Sequence, residues 1–271
     1  MPSGFQLAHR QAEAYERHTG VFMDGSARLL ATGARLGPGD VVLDLACGTG
    51  LVARHVAPLI APGGRVVGVD INPAMLAHAR ARCTAPIEWV EAPCDALPFD
   101  DETFTHAICQ QGIQFFPDPV AALREVGRVL RPEGVVVATV WATPGRNPYI
   151  EHQLALLAEL DPAVVDSVRR ATPPNADRFL DTSAAAAGFD AIEVDVLEHE
   201  VDVADLATWF LDQTGGTPWG PTLAALTADE RAALAADMTS RLSDHATASG
   251  HRLPFASYRL RAERAPGPPA T

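Results

Sequence analysis

The ten residues Val41-Val42-Leu43-Asp44-Leu45-Ala46-Cys47-Gly48-Thr49-Gly50 leave this chain few ways to fold. A short apolar run carries an acid near its end, breaks at two glycines, and gives way to helical spacing from Leu51. That order reads as a buried strand, a tight loop and a helix N-terminus. Gly48 and Gly50 permit a sharp turn and close backbone approach to a ligand, because neither carries a Cβ. The helix start beyond them offers unpaired N–H groups.

The same alternation continues downstream. Leu51, Val52, His55, Val56, Leu59 and Ile60 fall on one helical face, which Ala61-Pro62-Gly63-Gly64 ends. A second buried strand, Val66 to Val69, stops at Asp70, and Asn72 with Pro73 opens a helix running to about Cys83. Ile87 to Val90 and Phe104 to Cys109 read as the third and fourth strands. Asp118-Pro119 starts a helix that points Val120, Leu123, Val126 and Leu130 inward, and Pro132-Glu133-Gly134 turns into a fifth strand, Val135 to Trp141. Strands alternating with helices over short links imply an α/β fold with a parallel sheet covered on both faces. In such sheets ligands bind outside the carboxyl ends of the strands. Asp44, Asp70, the 93–96 turn and Gln110-Gln111 all fall there.

The flanks differ from this core. Residues 1–36 read as N-terminal helices, and 37–142 as the ligand-binding core. Residues 143–264 hold the remaining strands, Ile192 to Val203 and Phe255 to Ala262, with helical insertions at 143–178 and 204–250. A helix is expected at Ser183 to Ala187, a break at Gly215-Gly216-Thr217-Pro218, and a capping box at Thr227 to Glu230. Residues 265–271 read as a disordered tail.

Charge narrows the partners. The net charge is −13 and all 21 basic residues are arginine, a balance that argues against a phosphate-binding nucleic-acid face. Cys47, Cys83, Cys94 and Cys109 show no metal-ligand spacing, so no metal is expected, and so few thiols suit a reducing cytoplasm. No stretch is apolar enough to span a membrane, and the N-terminus lacks a basic-then-apolar signal pattern.

Two ligands compete for the glycine loop. Gly48-x-Gly50-x-x-Ala53, with Asp70 twenty residues beyond Gly50, satisfies the dinucleotide fingerprint of a nicotinamide-dependent oxidoreductase. Asp44 opposes that reading, since an acid just before the glycines repels a pyrophosphate and suits an ammonium or sulfonium such as that of S-adenosylmethionine. Asp70 could accept from the ribose hydroxyls of either cofactor.

These segments together resemble class I S-adenosylmethionine-dependent methyltransferases, specifically the small-molecule group related to ubiquinone and menaquinone biosynthesis enzymes. Val42 to Gly50 is similar to the first motif of that family, and Val69-Asp70-Ile71-Asn72-Pro73-Ala74-Met75-Leu76 to its ribose-binding motif. Asp95-Ala96-Leu97-Pro98-Phe99 resembles the adenine-side turn. Phe115-Phe116-Pro117-Asp118-Pro119, Leu123-Arg124-Glu125-Val126 and Arg131-Pro132-Glu133-Gly134 resemble the segment following the fourth strand. The resemblance covers roughly residues 37–142. It implies a Rossmann-like, doubly wound, mostly parallel seven-stranded sheet with helical lid insertions in the C-terminal half. It also implies S-adenosylmethionine as cofactor, with Asp44, Ala46, Gly48 and Gly50 at the methionine end and Asp70 on the ribose. Ile71 would lie against the adenine, and Gln110 would approach the methionine moiety. Relatives read Gly-Asp-Ala where this chain has Ala92-Pro93-Cys94. The acid that in relatives accepts from the adenine amino group is therefore missing; Cys94 still offers its backbone N–H to the adenine, and Asp95 is the substitute acceptor for the amino group.

Methyl transfer from a sulfonium requires alignment and dryness more than acid–base machinery, and no catalytic triad is visible. The expected acceptor is a small molecule, with neither nucleic acid nor membrane as partner. The resemblance implies an N-terminal helix closing over the cofactor, which brings Tyr15 to the cofactor and His18 to the reaction. His18 and Gln111 are the candidate catalytic residues, the alternative for His18 being an exposed helical position. Phe22, Gln114, Trp141, Trp209 and Trp219 are candidates for the acceptor pocket. His106 reads as a satisfied core residue, while His152 and His251 are weaker candidates for a base. A non-methylating S-adenosylmethionine-binding protein remains the other reading of this fold.

Overall fold

A computed structural model describes residues 9–161, 172–173, 175–213 and 220–266. Trp219, the Gly215–Pro218 break, part of the 143–178 insertion and the tail beyond residue 266 lie outside the described residues. So does the side chain of His18.

Among the described residues, one helix, α1 (His9–Gly33), precedes the core. The core then alternates: β1 (Val41–Leu45), α2 (Leu51–Val56), β2 (Arg65–Asp70), α3 (Pro73–Arg82), β3 (Ile87–Glu91), β4 (Phe104–Gln110), α4 (Pro119–Val129) and β5 (Leu130–Trp141). Beyond it come α5 (Pro148–Leu160), α6 (Ala176–Ala187), β6 (Phe189–Val203), α7 (Leu206–Gln213), α8 (Gly220–Ala224), α9 (Ala228–Arg241), the two-residue β7 (Ala246–Thr247) and β8 (Gly250–Arg264).

The sheet order is β3-β2-β1-β4-β5-β8-β6, with β7 attached to β8. Strands β1 to β5 pair in parallel, and β8 runs antiparallel between β5 and β6. This is the mostly parallel α/β sheet expected, with seven main strands and one short addition. Strand order reverses between β1 and β4, so their C-terminal ends open the crevice where α/β sheets bind ligands.

Alternation along each strand divides the core. Val42, Val66, Ile108 and Val137 pack with α1 and α2, through Leu30, Ala31, Val52 and Val56. Leu43, Val67, Ala107 and Val136 belong to the second cluster, with Leu123 and Val126 of α4 and Leu180 and Ala184 of α6. A third cluster joins Met23 of α1, Trp141, Tyr149 of α5, Phe210 of α7, Met238 of α9 and Phe255 of β8. The helical insertions thus have their own apolar core at the C-terminal end of β5.

Several boundaries move for identifiable reasons. The expected turn at 132–134 is a bulge inside β5: Phe104 pairs with Leu130 and His106 with Val135, while Glu133 takes a positive φ of 63°. Helix α6 begins at Ala176, ahead of the expected Ser183, because Ala176, Leu180, Ser183 and Ala184 share one buried face. Strand β6 begins three residues before the expected Ile192, and β8 extends past both ends of the expected Phe255–Ala262 as acids of β6 face its arginines. Asp195 pairs with Arg259 and Asp202 with Arg252, each joined by a salt bridge. The Thr227–Glu230 capping box forms as expected at the start of α9.

Candidate functional site

Asp44 sits on β1 one residue before the strand ends, buried at 1% exposure. Its Oδ2 accepts from the Ala53 N–H at 2.9 Å, tying the strand to the first turns of α2. Among the described residues no second hydrogen bond to this carboxylate occurs. Burial pushes its pKa up to about 7, against the Ala53 hydrogen bond; Asp70 raises it further and Arg54 lowers it. A carboxylate this poorly compensated is a receptor for a cation.

The loop after β1 is held in left-handed backbone: Ala46 at φ 54°, Gly48 at 54° and Gly50 at 79°. Glycine is required at Gly50 twice over, by its φ and because a Cβ there would run into the Trp89 ring. Asp70, at the end of β2, organises the same loop: its Oδ2 accepts from Gly48 N–H and its Oδ1 from Asn72 N–H, both at 2.8 Å. A carboxylate has about four acceptor positions, and the backbone N–H groups of Gly48, Asn72 and Ile71 use three of them. Burial raises the Asp70 pKa, opposed by its hydrogen bonds to the Asn72, Gly48 and Ile71 backbone. Ile71, next in sequence, leaves half its surface exposed, an apolar face beside the carboxylate.

Helix α1 closes over this loop through Glu16, which no motif pointed to. Its Oε2 takes the Thr49 hydroxyl, its Oε1 accepts from Arg54 Nη2 at 2.6 Å, and Arg54 Nη1 reaches Thr49 O at 2.7 Å. Tyr15 is half-buried against Ala12 and Met75. Burial, then the charges of Glu16 and Asp70, push its hydroxyl up to about 12. His18 lies on the same helix. Farther along α1, Gln110 donates from Nε2 to Met23 O at 3.0 Å and to Ser26 Oγ at 2.7 Å, so its amide fastens α1 to the end of β4.

On the far side of β2, the 94–99 turn is clamped from α4. Glu125 accepts from Leu97 N–H at 2.8 Å, and Arg128 donates to Leu97 O and Phe99 O. Cys94 is half-buried, its thiol pushed up to about 11 by burial and by Asp95, while Asp95 itself is exposed. His106 accords with the core reading, with Thr105 and Asp40 beside its Nδ1.

Gln111 follows β4 at φ 53°, buried, its N–H bonded to Thr139 O of β5. Its Nε2 donates to Ser257 Oγ of β8 at 2.9 Å, and its Oε1 accepts from Gln114 Nε2 at 3.2 Å. Gly112 abuts the glycine loop so closely that a Cβ on it would stand 2.7 Å from Cβ of Ala46. The site therefore joins β1, β2, β4 and β8 at their ends around one crevice. Ser257 is 146 residues from Gln111 and was not visible from sequence; only the fold brings it in. Among the described residues no group of three or more metal-ligating side chains gathers, and no helix is long and apolar enough to cross a membrane.

Comparison with known proteins agrees with this geometry. Residues 43–138 match a family described as a methyltransferase domain. The ubiquinone/menaquinone biosynthesis C-methyltransferase UbiE of Coxiella burnetii is 35% identical over 122 residues, 43% of this chain and 49% of the relative. The chain spans about half the length of the curated relatives it matches. Among solved structures, the YcgJ protein of Bacillus subtilis has a TM-score of 0.59 at 18% identity, covering 90% of this chain and 99% of that one. Phosphoethanolamine N-methyltransferase 2 of Haemonchus contortus, bound to phosphomonomethylethanolamine and S-adenosylhomocysteine, has a TM-score of 0.58 at 19% identity, covering 95% of this chain and 58% of that one. Residues 43–138, which carry the motif series from β1 to β5, are thus similar to a methyltransferase domain, and the chain shares the doubly wound α/β fold of these solved structures.

Proposed function

We propose that this chain transfers a methyl group from S-adenosylmethionine to a small-molecule acceptor. The observation that carries the reading is Asp44: a buried carboxylate without a cationic partner in contact, beside a left-handed glycine loop. A dinucleotide pyrophosphate brings negative charge to that position, whereas the methionine ammonium supplies the missing positive charge. The residues present fit the cofactor elsewhere too, with the remaining acceptor position of Asp70 for a ribose hydroxyl and the exposed face of Ile71 for the adenine.

In this reading Asp44, Ala46, Gly48 and Gly50 hold the methionine end, and Gln110 borders it. The Cys94 N–H and Asp95 serve the adenine edge, and Tyr15 with α1 covers the whole. The cofactor supplies an activated methyl group. The protein aligns the nucleophile and excludes water. Gln111 does this by position, since both ends of its amide are already engaged, while His18 is the candidate base on the covering helix. The helical insertions built around Trp141, Tyr149 and Phe210 wall the acceptor side.

The test is methyl-labelled S-adenosylmethionine incubated with the protein and a fractionated metabolite extract. Label appearing in a small molecule is the expected result. Label in protein or nucleic acid alone contradicts the acceptor class, and no transfer despite cofactor binding favours a non-methylating role.

A further inference from the structure

Ser257, Gln111 and Gln114 form a chain of side-chain hydrogen bonds with one loose end. Gln111 donates to Ser257 at 2.9 Å and accepts from Gln114 Nε2 at 3.2 Å. The remaining atom, Gln114 Oε1, is buried and has no hydrogen-bond partner. Buried acceptors are rarely left unpaired, and a free one asks for a donor that arrives with a ligand. Its place is telling: Gly112, between the two glutamines, touches Ala46 of the glycine loop.

The neighbouring wall is aromatic. Ser257 lies opposite Trp141 in the β5–β8 register. Trp141 stacks on Phe22 of α1 at 5.8 Å, and Phe22 stacks on Phe255 at 5.2 Å. Trp209 meets Phe22 edge-on at 6.1 Å, and its indole N–H is likewise buried without a partner. None of these groups carries a fixed positive charge to offset a carboxylate or phosphate, while rings favour a flat apolar body.

We infer that Gln114 is a positioning residue for the acceptor. Its Oε1 accepts a hydrogen bond from an O–H or N–H on a flat, largely apolar molecule held against Trp141 and Phe22. This rests on the methyltransferase reading and adds the acceptor's chemistry to it: flat, not an anion, and carrying a donor near the point of methylation. An amide oxygen facing that donor turns the lone pairs of the same heteroatom away from Gln114. The anchored chain back to Ser257 keeps the oxygen from rotating out of place.

The probes are 2-naphthol and its methyl ether, 2-methoxynaphthalene, measured by equilibrium dialysis against the protein saturated with S-adenosylhomocysteine. The ether lacks the donor and carries one added methyl group, whose steric effect the Gln114→Leu comparison controls. Naphthol is expected to bind about tenfold tighter. Gln114→Leu is expected to bring the two affinities to within about twofold while S-adenosylhomocysteine still binds. A purely structural role for Gln114 lowers both affinities alike and preserves their ratio, which overturns the inference. So does equal binding, or no binding, of the two probes to the wild-type protein, which needs no variant to fold. Failure of S-adenosylhomocysteine to bind overturns the underlying reading and the inference together, and is recognised separately in the same experiment.

Discussion

At the scale of single residues, Asp44 is where sequence, electrostatics and function meet. Its pKa rises from 3.8 to about 7 in the folded protein. Between those values the folded state keeps a proton that the unfolded chain has released. The carboxylate therefore costs stability progressively as pH rises from about 4 to 7, and the cost stays constant above. Asp44→Asn should gain stability relative to wild type over that window, read as a diverging denaturant midpoint. Binding has the opposite sign. A cationic ligand favours the ionised form, so S-adenosylmethionine affinity should rise close to tenfold from pH 6 to 7.5, with proton release below pH 7. Asp44→Asn should bind weakly and flatten that profile; an unchanged profile contradicts the assignment. Gly50→Ala is a second residue-scale case: its φ of 79° and the Trp89 ring both oppose a Cβ. We expect a loss of about 2 kcal/mol or more in chemical unfolding.

At the scale of elements, α1 is a cover fastened at four points: Glu16 to the Thr49–Arg54 pair, Gln110 to Met23 and Ser26, Asp24 to His55, and Phe22 O to His199. The Glu16 pair with Arg54 is partly buried, at 13% and 25% side-chain exposure, so it is screened less than a surface pair. Glu16→Ala should cost about 1–3 kcal/mol. It should also speed amide exchange around residues 12–20 and shorten cofactor residence. The exposed Glu13–Arg17 pair one turn away should matter by less than about 0.5 kcal/mol when broken. The elements also show what a sequence displays. Strands β1, β2, β4 and β5 were legible because burial on both faces leaves continuous apolar runs bounded by turns. The start of β8 was not, because Arg252 looks solvated until it pairs with Asp202 across the register. Glu16 was hidden for a related reason, since an acid on a helix gives no sign of a partner more than thirty residues away.

At the scale of the molecule, the switch between β1 and β4 sets where a ligand sits, and β8 inserted between β5 and β6 brings Phe255 and Ser257 to the same crevice. The residues proposed for the cofactor lie in four ordered motifs, each at a strand end, which a sequence displays. The aromatic cluster proposed to wall the acceptor is assembled from α1, the end of β5, α5, α7 and β8, segments that only the sheet brings together. Ligand linkage gives a global check. S-adenosylmethionine at about a hundredfold over its dissociation constant should stabilise the folded chain by about 2.7 kcal/mol. The most direct measurement is titration calorimetry of the intact protein with S-adenosylmethionine and, separately, with a reduced nicotinamide dinucleotide. Saturable binding of S-adenosylmethionine at one site per chain, with no heat from the dinucleotide, is the result predicted. Tight dinucleotide binding with no detectable S-adenosylmethionine binding would contradict the assignment of Asp44 and the function built on it.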